Sequence, residues 1–188
     1  MGGKRKYIIC YLVYVIAWLM LHMFCTKIGD DAGPVSALSY DTYLNGKNNW
    51  SSRLFVSFFT IPLKRMPIIV WKCMDTIMIM ITTQLLEALF NNNKRLEYTL
   101  FIMGMMLLMP FSFFSSAGWI TTTVVYLWVI TAALYVILIV QRISENQKIS
   151  GPQYVLSTLL FAYAVDVEIG VVALFLIFGA YSVLQILH

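Results

Sequence analysis

Asp30 and Asp31 stand side by side just after an apolar run that ends at Cys25, and Arg53 follows in the same polar stretch. Two adjacent carboxylates repel each other, so they need a cation, hydrogen-bond donors or open water. A carboxylate held where substrate reaches a membrane rim can act as a general base or a metal ligand. The plainer role for the pair is a polar cap on the outer end of a helix. Arg53 carries a planar fork of donors suited to phosphate or carboxylate, and it can equally pair with a loop aspartate or a lipid headgroup. Tyr40, Tyr43, Trp50 and Trp119 are of the type that stacks on sugar faces. They also stand where an interfacial aromatic belt would put them.

Four more charged residues enter the same argument. Lys72 and Asp75 are three apart, on one face of an expected membrane helix and in its outer half. Charges inside a span are a functional hypothesis by default, with mutual neutralisation as the alternative. Asp166 and Glu168 flank a single residue after another apolar run, and both are expected on the same side as Asp30 and Asp31. Carboxylates brought from distant sequence to one rim strengthen the case for a site. Glu87, near the inner end of its helix, reads as structural.

Other chemistries lack their residues. There is no Gly-rich phosphate loop ending in Lys-Ser. With His22 and His188 the only histidines, a histidine metal cluster and a Ser-His-Asp triad have no basis. Cys10, Cys25 and Cys73 lie in or beside apolar runs at spacings that fit neither zinc nor a disulfide framework. The methionines, including Met103, Met105, Met106 and Met109, read as soft packing residues.

The elements that must position these residues are helices in a membrane. Hydrophobic residues make up 60% of the chain and charged residues 12%, and the mean hydropathy is +0.79. Soluble domains average roughly 45–50% apolar and about 25% charged. The net charge of +4 is dispersed rather than gathered in a basic arm, so it marks topology and gives no reason to expect nucleic acid. Lys4-Arg5-Lys6 precedes an apolar run of about 19 residues, too long for the roughly 7–15-residue core of a cleavable signal. That run is an anchor with the N-terminus in the cytoplasm.

The pattern predicts an all-α polytopic bundle of five or six spans in one membrane domain, 1–188. The spans are 7–25, 67–90, 98–114, 119–140, 154–165 and 169–187, with an extracytoplasmic loop at 26–66. The segment 154–165 would rise only about 18 Å as a helix, so it is short or re-entrant. Within the loop, Leu54, Phe55, Phe58 and Phe59 predict an amphipathic helix lying along the membrane surface. The stop at His188 with no polar tail is what an interrupted reading frame would give.

Asp30-Asp31, Trp50-Ser51-Ser52-Arg53, Trp71 with Asp75, and Ser116-Ala117-Gly118-Trp119-Ile120-Thr121-Thr122 together resemble the bacterial DUF6056 family, which is grouped with GT-C glycosyltransferases and GtrII-like proteins. The resemblance follows most of the chain but only the N-terminal part of a typical member. It implies a GT-C-like fold in the bacterial plasma membrane, a polyprenyl-phosphate sugar donor, and a glycan or lipid acceptor on the outer face. It assigns the general base to Asp30 or Asp31, allows a divalent metal there, and makes Arg53 a donor-phosphate or structural contact. Many members carry Asn-x-Glu-Gln after the fifth helix; here Asp166-Val167-Glu168-Ile169 keeps the glutamate and lacks the glutamine. The rival expectations are a carrier or scaffold for lipid-linked sugars, and an inactive remnant.

Overall fold

The structure is a computed structural model that describes residues 2–33, 53–91, 94–109 and 115–187. Tyr40, Trp50 and the expected span end at 110–114 lie outside the described residues. Those residues are helical almost throughout: α1 (Gly2–Met23), α2 (Leu54–Arg65), α3 (Ile68–Phe90), α4 (Leu96–Leu108), α5 (Trp119–Ser144), α6 (Gly151–Val165) and α7 (Glu168–Leu187). A 3-10 turn, Gly29–Asp31, follows α1.

Helix starts and stops follow local chemistry. Pro67 precedes α3, where its fixed backbone suits a helix entrance. Ser150 and Gln153 form a reciprocal capping box at the start of α6, with a proline in the first turn. Met109 closes α4 with ψ 128, the extended geometry imposed on a residue that precedes proline. At 13 residues α4 rises about 20 Å, less than the roughly 30 Å of hydrocarbon.

Among the described residues three helices are long and apolar enough to cross a membrane: Arg5–Met23, Ile68–Phe90 and Trp119–Ser144. The expected fifth and sixth runs form one pair, Gly151–Val165 and Glu168–Gly179, bent by 118° at the acidic Asp166-Val167-Glu168 break. Counted as one broken span, that pair makes four.

The bundle is built around α5, where 67% of the most apolar stretch is buried, against 17% of that of α1. Helix α5 packs on α3, α6 and α7, while α1 and α4 pack on α3. Because lipid tails are as apolar as leucine, polar side chains help to hold such helices together, at about 0.6 kcal/mol each. The Tyr14 hydroxyl meets Thr83 Oγ1 at 3.0 Å, Trp71 Nε1 donates to Thr123 Oγ1 at 2.9 Å, and Thr82 and Thr131 share a bond of 2.6 Å. Residues Thr123–Leu127 of α5 form a widened π turn, and Tyr163 of α6 donates to the Val124 carbonyl inside it. Such turns gather at functional positions.

The α6–α7 bend depends on Gly170. A Cβ there would stand 1.9 Å from the Ala164 carbonyl oxygen and 2.9 Å from Val129 Cγ1. Gly170→Ala therefore has to push α7 off its neighbours, at a cost of about 1–3 kcal/mol or more. The expected result is a lowered thermal midpoint in detergent; an unchanged midpoint would mean the bend yields freely.

Helix α2 matches the amphipathic helix expected in the first loop. Its inner face buries Val56, Thr60, Ile61, Leu63 and Lys64 against the first turns of α5, against α6 and against α3. Phe55, Phe58 and Phe59 form an exposed aromatic ridge on the outside, the composition of a face that rests in a membrane interface.

Candidate functional site

Helix α5 begins at a glycine that has no side chain with which to cap it. Gly118 is the N-cap residue with φ 114, a conformation open to glycine and strained for other residues. Its missing side chain leaves room for Asp31, since a Cβ on Gly118 would stand 2.6 Å from Asp31 Cγ. The Asp31 carboxylate fills that space. Its Oδ2 accepts from the Ile120 N–H at 2.7 Å, and its Oδ1 accepts from the Thr121 N–H at 3.0 Å and the Thr121 hydroxyl at 2.7 Å. A carboxylate from 89 residues upstream thus does the work of an N-cap and faces the positive end of the helix dipole.

Lys64 of α2 completes the cluster. Its ammonium lies 3.8 Å from Asp31 Oδ1 and donates to the Asp30 carbonyl at 2.9 Å. Lys64 lies outside the candidate spans; burial pushes its ammonium below the usual lysine range, and the Asp31 and Asp30 carboxylates oppose that shift. The Asp30 N–H donates to the Ala117 carbonyl at 2.9 Å. The backbone of Asp30 is therefore pinned from both sides while the residue itself is exposed. Asp31 is sequestered and Asp30 is presented.

The other rim residues arrive through α2. Asp166 Oδ2 accepts from the Val56 N–H at 2.9 Å, which makes it a second long-range cap, this time on α2. Arg53 Nη2 pairs with Glu168 Oε2 at 2.9 Å. With side chains 32% and 77% exposed, that pair contributes under about 1 kcal/mol. Trp119 opens α5 beside Asp31. Asp30, Asp31 and Trp119 meet at the start of α5 beside the C-terminal end of α2, whereas Arg53, Asp166 and Glu168 meet at the N-terminal end of α2, roughly 12–16 Å away along that helix. Tyr40 and Trp50 lie outside the described residues.

Lys72 and Asp75 do not pair. Lys72 Nζ reaches the Met23 carbonyl at 3.4 Å. Asp75 turns into the bundle, where its Oδ1 accepts from Trp128 Nε1 at 2.8 Å and its Oδ2 meets His22 Nε2 at 3.0 Å. His22 Nδ1 faces the Trp18 carbonyl at 2.8 Å, so that nitrogen carries a proton. One further proton must lie between Nε2 and Oδ2, on whichever atom, because a bare nitrogen and a bare carboxylate oxygen cannot bond. His22 and Asp75 are each 1% exposed, and as a unit they are neutral.

No family model, curated protein or solved structure matches the chain. Chemical interpretation rests on the geometry. A divalent metal fits the described donor set poorly: Asp31 already accepts three hydrogen bonds and faces a lysine ammonium. Among the described residues no three His, Cys, Asp or Glu side chains form a metal-holding group.

Sequence reasoning missed Lys64, Gly118 and His22. One signal for His22 was available. A carboxylate inside a span needs a partner from a neighbouring helix, and His22 is the histidine near the C-terminal end of the first apolar run. For Lys64 no comparable signal exists, since it is one of several basic residues in the loop.

Proposed function

We propose that the chain is a membrane glycosyltransferase-like protein that transfers a sugar from a polyprenyl-phosphate donor to a glycan or lipid acceptor. The observation that carries this reading is the division of labour in the Asp30-Asp31 pair. One carboxylate is spent on holding the start of α5, and its neighbour is exposed on a backbone clamped by Ala117 and Lys64. A base is effective when it is preorganised and open to substrate. Asp30 would take the acceptor hydroxyl proton as the acceptor oxygen attacks the anomeric carbon. The bond from that carbon to the phosphate oxygen breaks, the phosphate leaves with the electron pair, and the configuration inverts. Arg53, which pairs with Glu168, would contact the donor phosphate through its guanidinium fork. In this reading α4 and both arms of the bent pair also cross, giving five or six spans in a GT-C-like bundle, with the Asp30 end outside the plasma membrane.

The test is transfer of a radiolabelled sugar from a panel of polyprenyl-phosphate sugars by the full chain in nanodiscs. Asp30→Asn is expected to lower kcat by about 100-fold or more with the thermal midpoint unchanged, and Arg53→Ala to raise KM for the donor. Full transfer by the Asp30 variant removes it as the base. A folded chain that transfers no sugar in the panel counts against the enzyme reading.

The buried Asp75–His22 unit favours a second reading, a carrier for lipid-linked sugars, because a neutral pair sharing one proton inside a bundle suits coupled transport. Uptake of lipid-linked sugar into vesicles without transfer would support it.

A further inference from the structure

At the other end of the bundle, α1, α3, α4 and α5 enclose an open cleft of about 990 Å³, within the size range of small-molecule sites. Tyr11 of α1, Gln84 and Glu87 of α3, Thr99 of α4, Arg142 of α5 and Lys94 line it. Glu87 Oε1 is buried and has no hydrogen-bond partner, while the Tyr11 hydroxyl faces the same carboxylate. The carboxylate has one donor in Tyr11 and acceptor capacity to spare, so a ligand that brings a second donor gains more here than at a wet surface.

The charges are ordered by depth. Glu87 lies one turn before Asn91, which closes α3, about 6 Å inward by helix rise. Arg142 is in the last turn of α5, and Lys94 follows the end of α3. A ligand seated in the cleft therefore meets a carboxylate at depth and two cations at the mouth. We propose that this cleft binds a primary-amine phosphate, the headgroup chemistry of an aminoethyl phospholipid. The ammonium would donate to the Glu87 carboxylate, and the phosphate would lie between Arg142 and Lys94. Shape and apolar neighbours such as Ile8 and Ala88 suit the adjoining carbon chain. This site lies away from Asp30 and does not depend on the sugar-transfer reading.

Native mass spectrometry of the full chain tests it, using phosphatidylethanolamine, phosphatidylcholine, phosphatidylglycerol and soluble glycerophosphoethanolamine as probes. Phosphatidylethanolamine is expected to bind about tenfold more tightly than the other two lipids, because neither offers an N–H donor. Glu87→Gln should abolish that preference with little change in phosphatidylglycerol binding. Arg142→Gln should weaken all phosphate-bearing probes while keeping the preference for the amine, which guards against misreading a single poorly folded variant. Comparable binding of the soluble compound assigns the free headgroup, and binding of the lipid alone assigns the lipid. Equal binding of the three lipids, or an amine preference that survives Glu87→Gln, overturns the proposal.

Discussion

Asp31→Ala is expected to destabilise the protein by about 3–5 kcal/mol, measured as urea-induced unfolding in detergent micelles. The Asp31 side chain has no exposed surface and lies 3.8 Å from a Lys64 ammonium whose own side chain is 9% exposed. Removing the carboxylate leaves that cation buried without its counter-charge. It also leaves the Ile120 and Thr121 N–H groups at the positive end of a 26-residue helix without their acceptor. Asp31→Asn keeps the shape but turns an N–H₂ toward the Ile120 N–H, or in the flipped orientation toward the Thr121 N–H and hydroxyl, so the expected loss is intermediate. Gly118→Ala should resemble Asp31→Ala from the other side, since its methyl would take the place of the carboxylate at a φ of 114. The two changes damage one contact, so the double variant should lose much less than the sum. Additive losses, or an Asp31→Ala variant within about 0.5 kcal/mol of the native chain, would mean the carboxylate is not what holds the start of α5.

This contact also gives a physical reason for two motifs that the sequence presents as separate. Asp30-Asp31 and Ser116-Ala117-Gly118-Trp119-Ile120-Thr121 belong to one joint: Asp31 bonds to Ile120 and Thr121, Asp30 bonds to Ala117, and Gly118 supplies the space. Hydropathy and proline placement made the long helices legible. Residues 67–90 were expected and Ile68–Phe90 is found; the loop helix expected from Trp50 to Leu63 is Leu54–Arg65. The weak fifth run was legible as an anomaly because 12 apolar residues cannot span. Its 118° bend was not, since direction depends on the close approach of Gly170 to Ala164, which leaves no periodic trace. The π turn at Thr123–Leu127 falls in a run without proline or glycine, so nothing local announces it. Partner choice was least legible. Lys72 is three residues from Asp75 on one helix face, yet Asp75 bonds across the bundle to His22 and Trp128. Spacing along one helix says which residues share a face and is silent on which neighbour that face meets.

Asp75 carries the second large expected effect, and here the type of substitution decides it. Asp75→Ala strips the partners from His22 Nε2 and Trp128 Nε1 in a site where Asp75 and His22 are each 1% exposed. The expected loss is about 2–6 kcal/mol, about 1–3 for each buried polar group left unsatisfied. Asp75→Asn should cost under about 1 kcal/mol, because replacing a group while keeping its partners satisfied is nearly neutral. The amide oxygen can accept from Trp128, and the N–H₂ can donate to a neutral His22 whose other nitrogen keeps its proton for the Trp18 carbonyl. The asparagine thus preserves every bond and removes only the freedom of one proton to move between His22 and Asp75. Stability and function separate in this variant. If Asp75→Asn is as stable as the native chain and keeps its activity, the pair is a structural tie between α1, α3 and α5. If it is stable and inactive in sugar transfer or uptake, the shared proton takes part in function. A loss of stability equal to that of Asp75→Ala would contradict the proton count from which the argument starts.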